Sequence, residues 1–265
     1  MRVRAVPQRV DRRSELPLDV LIPAAEVDWD VLSVAIDGLR RNLAHPVGTI
    51  WIVTALGSKA AKVAGELGCE VVDEQDVLPI RRDDIDYQFG SVDRSGWLFQ
   101  QLLKLSADTV SSSDHVLVID ADTVMIRPQS FTCGNKVVLF HSGEYHPPYF
   151  EAYRAVTGWA PATRVSCTTH HMVMRRESLQ GLKSLMEGHR SVPWWQAVLD
   201  ACVYESVSGF AEYETYGNYE LSTRGGLARR WWRNAIAPRS ELTDLDGLSR
   251  RYGGRLRTVS FHYYL

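Results

Sequence analysis

Apolar positions along the first half of the chain follow two alternating rhythms. Short β-branched runs at Asp19 to Pro23 (DVLIP) and Thr49 to Thr54 (TIWIVT) predict strands, and Glu70 to Val72 a third, shorter one. Between them, Val31 to Asn42 and Ser58 to Glu66 carry apolar residues at helical spacing. A polar stretch rich in Asp and Arg runs from Asp73 to Asp93. A helix over Trp97 to Ala107 and a fourth strand, Val116 to Ile119, close the series. Strands alternating with helices predict βαβ units with right-handed crossovers, and so an α/β fold with a mostly parallel sheet.

The second half is less regular. Lys136 to Phe140 and His171 to Met174 predict strands; Ser178 to Glu187 and Trp194 to Ser206 predict helices. In the last of these Trp195, Val198, Leu199 and Cys202 share one helical face. Tyr213 to Tyr219 reads as an aromatic, glycine-containing loop. There is no internal repeat, low-complexity tract or linker, so a single domain over residues 1–265 is expected.

Composition excludes several classes. A chain of 265 residues with 45% hydrophobic and 23% charged residues is ordinary for a globular protein and long enough for a full core. No uncharged apolar run approaches the roughly 20 residues that span a bilayer. The segment Met1 to Leu18 is polar and Arg-rich without an apolar core, so no secretory signal is expected. Cys69, Cys133, Cys167 and Cys202 lie far apart and read as isolated thiols of a cytoplasmic protein. From Arg224 onward there are nine Arg and no Lys against three acids, +6 within a chain of net charge −2. A basic tail on an acidic body suggests an anionic ligand. The acidic body and the lack of a recognised motif argue against nucleic acid.

The candidate chemistry begins where the strand Val116 to Ile119 ends, in Asp120-Ala121-Asp122. A short uncharged β-branched run is what a strand buried on both faces looks like, and open α/β sheets bind ligands at the carboxyl ends of their strands. Two acids sharing a site repel, so a cation must hold them ionised, and a hard divalent metal is the usual one. Alternation along an extended chain would put both carboxylates on one side. Glycine-rich phosphate loops are absent, which leaves phosphate to metal and to Arg or Lys. Upstream, Leu98, Leu102 and Leu105 form an apolar stripe, while Arg94, Trp97, Gln101 and Lys104 form a second stripe suited to a ligand cleft.

A Rossmann-like half that ends in a hydrophobic strand and Asp-x-Asp resembles the GT-A fold of nucleotide-sugar glycosyltransferases. Two further stretches resemble a little-described bacterial branch of that group. They are Gly96-Trp97-Leu98-Phe99-Gln100-Gln101-Leu102-Leu103-Lys104-Leu105 and Glu212-Tyr213-Glu214-Thr215-Tyr216-Gly217-Asn218-Tyr219. The resemblance runs from about Asp19 to His262. It implies a metal-dependent transferase using a nucleoside-diphosphate sugar, with residues 18–128 binding the donor and 129–265 the acceptor. By the same resemblance Asp120, Asp122 and His262 hold Mn²⁺ or Mg²⁺ against the diphosphate. Backbone near Pro23 and Ala24 meets the base, Asp28 the base or ribose, and Arg94, Trp97, Gln101, Lys104 and Asp120 the donor. Glu212 or Glu214 acts as the base for the acceptor hydroxyl or stabilises positive charge on the sugar, and Asn218 and Tyr219 complete the sugar-facing edge. Of His170 and His171, adjacent on a strand, at most one can face the acceptor.

Two other functions compete. Asp120-Ala121-Asp122-Thr123-Val124 also fits the first motif of haloacid dehalogenase-type phosphatases, with Asp120 as nucleophile. That motif normally follows the first strand of its sheet. A non-catalytic module is the other competitor, with the segment Arg229 to Arg233 docking an anionic lipid or polymer.

Overall fold

The computed structural model describes residues 13–263; the first twelve residues of the Arg-rich N-terminal segment and the last two of the aromatic C-terminal segment lie outside them. The chain opens with β1 (Leu18–Pro23), α1 (Trp29–Asn42), β2 (Val47–Thr54), α2 (Lys59–Glu66) and β3 (Glu70–Asp73). A short helix α3 (Glu74–Val77) and the small hairpin β4 (Gln88–Phe89) with β5 (Val92–Asp93) occupy the polar stretch. Helices α4 (Ser95–Leu105) and α5 (Ala107–Val110) lead into β6 (His115–Ile119). Then come β7 (Thr123–Met125), β8 (Thr132–Cys133), β9 (Lys136–His141), α6 (Pro147–Thr157), β10 (His171–Arg175), α7 (Arg176–Arg190) and α8 (Trp194–Ala201). The chain finishes with α9 (Glu212–Thr223), β11 (Ala228–Trp231), β12 (Asn234–Ile236), α10 (Leu245–Tyr252) and β13 (Thr258–Ser260).

The central sheet has the order β10-β6-β1-β2-β3. Its first four strands in the chain run parallel, and β10 pairs antiparallel with β6. This is the expected α/β architecture, a mostly parallel sheet with flanking helices. Strand alternation explains the two core clusters on its faces. Leu21, Val116 and Val118 point to one side with α4, α7 and α9, while Val20, Ile22, Leu117 and Ile119 point to the other with α1 and α2. From Val116 to Ile119 no residue of β6 is exposed, which is why that run reads as uniformly apolar.

Two smaller sheets, β11-β9-β8 and β12-β13-β7, carry the second half. The second is tied to the first half through α1. A Cβ on Gly38 would lie 2.7 Å from the Met125 carbonyl oxygen, so glycine is what lets α1 press against β7. Around this contact Val31, Ala35, Val124, Val259 and Phe261 form a third core. It seats the C-terminal segment beside the end of β6.

Two elements differ from expectation. The helix predicted to Ser206 stops at Ala201, where Cys202 is extended and a turn closes through Val203 N to Gly209 O at 3.1 Å. Tyr213 to Tyr219 is part of helix α9, not a loop. The basic segment is not a free docking tail either. Arg229 and Arg230 belong to β11, and Trp232 is buried with its indole N–H on Thr258 Oγ1 at 2.9 Å.

Arg229 also settles the state of a buried histidine. Its Nε–H donates to His141 Nε2 at 2.8 Å, so that nitrogen is an acceptor, and Nδ1 carries the proton toward Ser166 O at 3.2 Å. Burial, with the Arg229 charge added, pulls the His141 pKa down from 6.5 to about 4. Between those values the unfolded chain takes up a proton that the folded chain refuses. Stability is therefore complete above pH 6.5 and falls as the pH drops toward 4, by up to about 3 kcal/mol from this residue. Urea unfolding from pH 7.5 to 4.5 should show that loss, and His141→Gln should flatten it; an unchanged slope in the variant would exonerate His141.

Candidate functional site

The carboxyl ends of β1, β2 and β6 open onto a cleft of about 860 Å³. Of the twelve site residues expected from the sequence, eleven line it: Pro23, Ala24, Asp28, Arg94, Trp97, Gln101, Lys104, Asp120, Asp122, Glu212 and His262. Glu214 does not. A smaller hollow of about 400 Å³ beside α2 presents Lys59 and Lys62 but no carboxylate, so the functional groups converge in the larger one.

Asp120-Ala121-Asp122 is not extended. It forms the turn between β6 and β7, closed by Thr123 N to Asp120 O at 3.0 Å. Both carboxylates still reach the cleft, but they serve different partners. Asp120 Oδ1 takes Lys104 Nζ at 2.5 Å and the Tyr213 hydroxyl at 3.0 Å. Asp122 Oδ2 meets His262 Nδ1 at 2.9 Å. That meeting is built by the β7–β13 ladder, in which Thr123 pairs with Ser260 and Phe261 N donates to Asp122 O at 2.9 Å.

Lys104 is expected to bind the donor, yet its ammonium is already held by Asp120 and by Glu212 Oε1 at 2.8 Å. Its side chain is 4% exposed and lies over the Tyr213 ring. Burial works against its charge, but the two carboxylates outweigh burial and raise its pKa. Burial raises the Glu212 carboxyl as well, and Lys104 opposes that rise. The result is an internal ion triad on the cleft wall.

Helical geometry separates the two glutamates. Residues two apart on a helix point roughly 200° apart, so Glu212 faces the cleft and Glu214 turns inward. There Glu214 accepts from Ser166 Oγ and Cys167 N, both at 2.9 Å, and from Asn218 Nδ2 at 2.7 Å. Asn218 is buried with it, and Tyr219 stacks on Trp159 away from the cleft. Glu214 and Asn218 are therefore internal, and Tyr219 is half-buried beside an exposed Trp159 and not among the residues that line the cleft.

His170 is the residue that sequence reasoning left unassigned. It precedes β10 with φ of 54°, and its carbonyl accepts from Asp120 N at 3.0 Å. The two histidines diverge, though by the left-handed backbone at His170 and not by strand alternation. His171 packs edge-on against Phe131 and Phe140, while His170 enters the cleft beside the His262 ring at 5.1 Å. Ligand atoms of Asp122, His170 and His262 all lie within 4.8 Å of one another. Burial raises the Asp122 carboxyl, but His262, His170 and Lys104 together pull it below the ordinary range, so it is anionic.

At the other end, Asp28 accepts from Arg239 Nη2 at 2.7 Å and from Ala25 N at 3.3 Å. Burial and the charge of Asp122 push its pKa up to about 6, against the pull of Arg239. Arg94 lies over the Trp97 ring at 4.6 Å and donates to Ser208 Oγ at 3.3 Å, leaving its buried Nε without a partner. Glu144, 41% exposed, faces His170 Nε2 at 3.7 Å. Neither Arg239 nor Glu144 carries a local sequence signal; each reaches the cleft only through the fold.

No curated protein sequence matches the chain. Among solved structures, mouse xyloside xylosyltransferase 1 in its apo form is similar over 94% of this chain and 99% of its own, with 12% identity and a TM-score of 0.49. Galactosyltransferase LgtC, in complex with donor and acceptor sugar analogues, is similar over 92% of this chain and 87% of its own, with 14% identity and a TM-score of 0.46. The family of unknown function DUF6492 matches residues 49–253, most of the chain, and the protein belongs to that family.

Proposed function

We propose that the protein is a metal-dependent glycosyltransferase that moves a sugar from a nucleoside-diphosphate sugar to an acceptor. The observation that carries this is the convergence of Asp122 and His262 at the floor of a strand-end cleft whose volume, about 860 Å³, suits a small-molecule ligand. A mixed oxygen and imidazole donor set fits Mn²⁺ and is unlike a calcium cage. Asp122 and His262 would hold Mn²⁺ or Mg²⁺, which when bound neutralises charge on the departing diphosphate.

The chain's own residues supply the rest. Small residues at Pro23 and Ala24 let a base and ribose approach the backbone, with Asp28 oriented by Arg239 beside them. Arg94, fixed against Trp97 on the cleft wall, offers its positive charge to an anionic or hydroxyl-bearing group. Asp120 and Glu212, held by Lys104, place negative charge where the sugar carbon becomes positive. Glu212 is better suited to that electrostatic role than to taking a proton, because its Oε1 is already occupied by the Lys104 ammonium at 2.8 Å.

The test is a thermal-shift panel of nucleoside diphosphates with and without Mn²⁺. At 100 times its dissociation constant the matching nucleotide should add about 2.7 kcal/mol of stability, a rise of roughly 5–10 °C for a chain of this size. No shift with any nucleotide, together with phosphate release from aryl phosphates, would replace the transferase by the phosphatase.

A further inference from the structure

Resting on that reading of the cleft as a metal site, we propose that the cation is bound by Asp122, His170 and His262, with Asp120 outside its coordination sphere. A site of two imidazoles and one carboxylate then selects a first-row transition ion (Mn²⁺, Fe²⁺, Co²⁺ or Zn²⁺) over Mg²⁺. The sequence points to Asp120 as a ligand, and the structure gives that carboxylate a different task.

The distances separate the two aspartates. Asp122 Oδ2 and His262 Nδ1 are 2.9 Å apart. Two ligands at right angles on an ion with bonds near 2.1 Å stand about 3.0 Å apart. Ligand atoms of His170 fall within 4.8 Å of both, so a small inward movement of its side chain completes a three-point set. Asp120 is not part of this set. Its Oδ1 already carries the Lys104 ammonium and the Tyr213 hydroxyl, and a divalent cation on the same carboxylate would be repelled by Lys104. Its Oδ2 lies 3.8 Å from His170 Nδ1, beyond hydrogen-bond reach, and that nitrogen meets Ser260 Oγ at 3.3 Å; Asp120 acts on the imidazole through its charge alone.

The backbone of His170 supports the assignment independently. Among the described residues it is one of two non-glycine positions with positive φ, at 54°. Such a conformation is strained for a non-glycine residue and persists where the surroundings enforce it, often at functional sites. Here it aims the ring away from the core, where His171 lies, and between the Trp232 and His262 rings at 4.9 and 5.1 Å. Donor chemistry supplies the selectivity: Mg²⁺ prefers oxygen and keeps its waters, whereas imidazole suits the later transition ions.

The experiment uses chelator-treated full-length protein, titrated calorimetrically with Mn²⁺, Co²⁺, Zn²⁺ and Mg²⁺, with the Co²⁺ absorption spectrum as a second readout. His170→Gly keeps a residue that tolerates positive φ but removes the ligand, and His170→Asn is the alternative should the glycine variant unfold. Co²⁺ affinity should fall more than about 100-fold in the His170 variant, with an altered spectrum, against about 10-fold in Asp120→Asn, the loss typical of a group outside the coordination sphere. Mg²⁺ should bind the unsubstituted protein at least about 100-fold more weakly than Co²⁺. Unchanged binding in the His170 variant, with loss in Asp120→Asn, overturns this ligand set and leaves a metal-dependent transferase standing. Absence of any divalent binding in the unsubstituted protein overturns both.

Discussion

Asp122→Asn should abolish sugar transfer while leaving the protein folded. The substitution keeps the size of the side chain and one carbonyl-type oxygen but removes the negative charge beside His262 and His170. Loss of a single preorganised electrostatic group typically costs about 10²–10³ in turnover, and here the same change also weakens the metal, so at least about 10³ is expected. The fold's stake in this side chain is mainly the contact with His262 Nδ1 at 2.9 Å, which an amide oxygen can still accept. Asp122 acts structurally through its backbone, whose carbonyl accepts from Phe261 N, and the turn is closed by Thr123 N on Asp120 O. Stability should therefore move by less than about 1 kcal/mol, a change within reach of chemical denaturation. Donor consumption in saturating Mn²⁺ and a urea titration, run on the same preparation, check both halves. Retained metal-dependent turnover in the variant would refute the assignment.

The parallel core was legible because its signals are local. In the first half each strand is an uninterrupted β-branched run or each helix an apolar stripe, and the β6 run is apolar throughout because both of its faces are covered. The small sheets of the second half lack such signals. Strands β7, β12 and β13 are three residues long, and β7 finds its partner near the end of the chain. Nothing within a short window announces pairings of that kind.

Helix α9 was misread for a physical reason. Eight of its twelve residues are buried, so it has no polar face and no amphipathic period. Its Gly, Asn, Thr and Tyr are also weak helix formers. Gly217 is there for packing, since a Cβ would lie 2.6 Å from the Cys167 Cβ. Reading this segment as an extended loop put Glu212 and Glu214 on one side; the helix puts them on opposite sides. A similar substitution of geometry happened at Asp120 and Asp122, where a tight turn, not strand alternation, brings both acids to the cleft.

Residue types were more legible than their partners. The need for a cation beside paired acids holds for Asp120, but the cation is Lys104, eleven residues before the strand that leads into the acid. That at most one of His170 and His171 would face the cleft was expected from strand alternation, but His170 lies before the strand, and its direction depends on its positive φ. Such a backbone state leaves no trace in a histidine doublet.

Lys104→Met should destabilise the protein by about 3–5 kcal/mol, the usual cost of breaking a buried ion pair from one side. Methionine fills most of the space, so the loss is electrostatic. Asp120 and Glu212 would be left facing each other without the ammonium that joins them at 2.5 and 2.8 Å. Two further measurements separate this from simple loss of packing. In the Lys104→Met, Glu212→Gln double variant one of the stranded charges is gone, and Asp120 keeps the Tyr213 hydroxyl and some access to solvent. The double variant should then recover about 1–3 kcal/mol of the loss, the coupling typical of groups in direct contact. The second measurement is pH. Burial already raises the Glu212 carboxyl in the folded state, and removing Lys104 removes what opposes that rise. A carboxyl whose folded pKa exceeds its unfolded value binds its proton more tightly when folded, so stability falls as the pH rises between the two values. The single variant should accordingly lie closest to the unsubstituted protein near pH 5 and farthest from it near pH 8. Urea unfolding of metal-free protein at both values, with unchanged denaturant slopes, provides the comparison. Equal losses at the two pH values, or a double variant no more stable than the single one, would mean that Lys104 packs against Tyr213 without holding the two carboxylates in their ionised state.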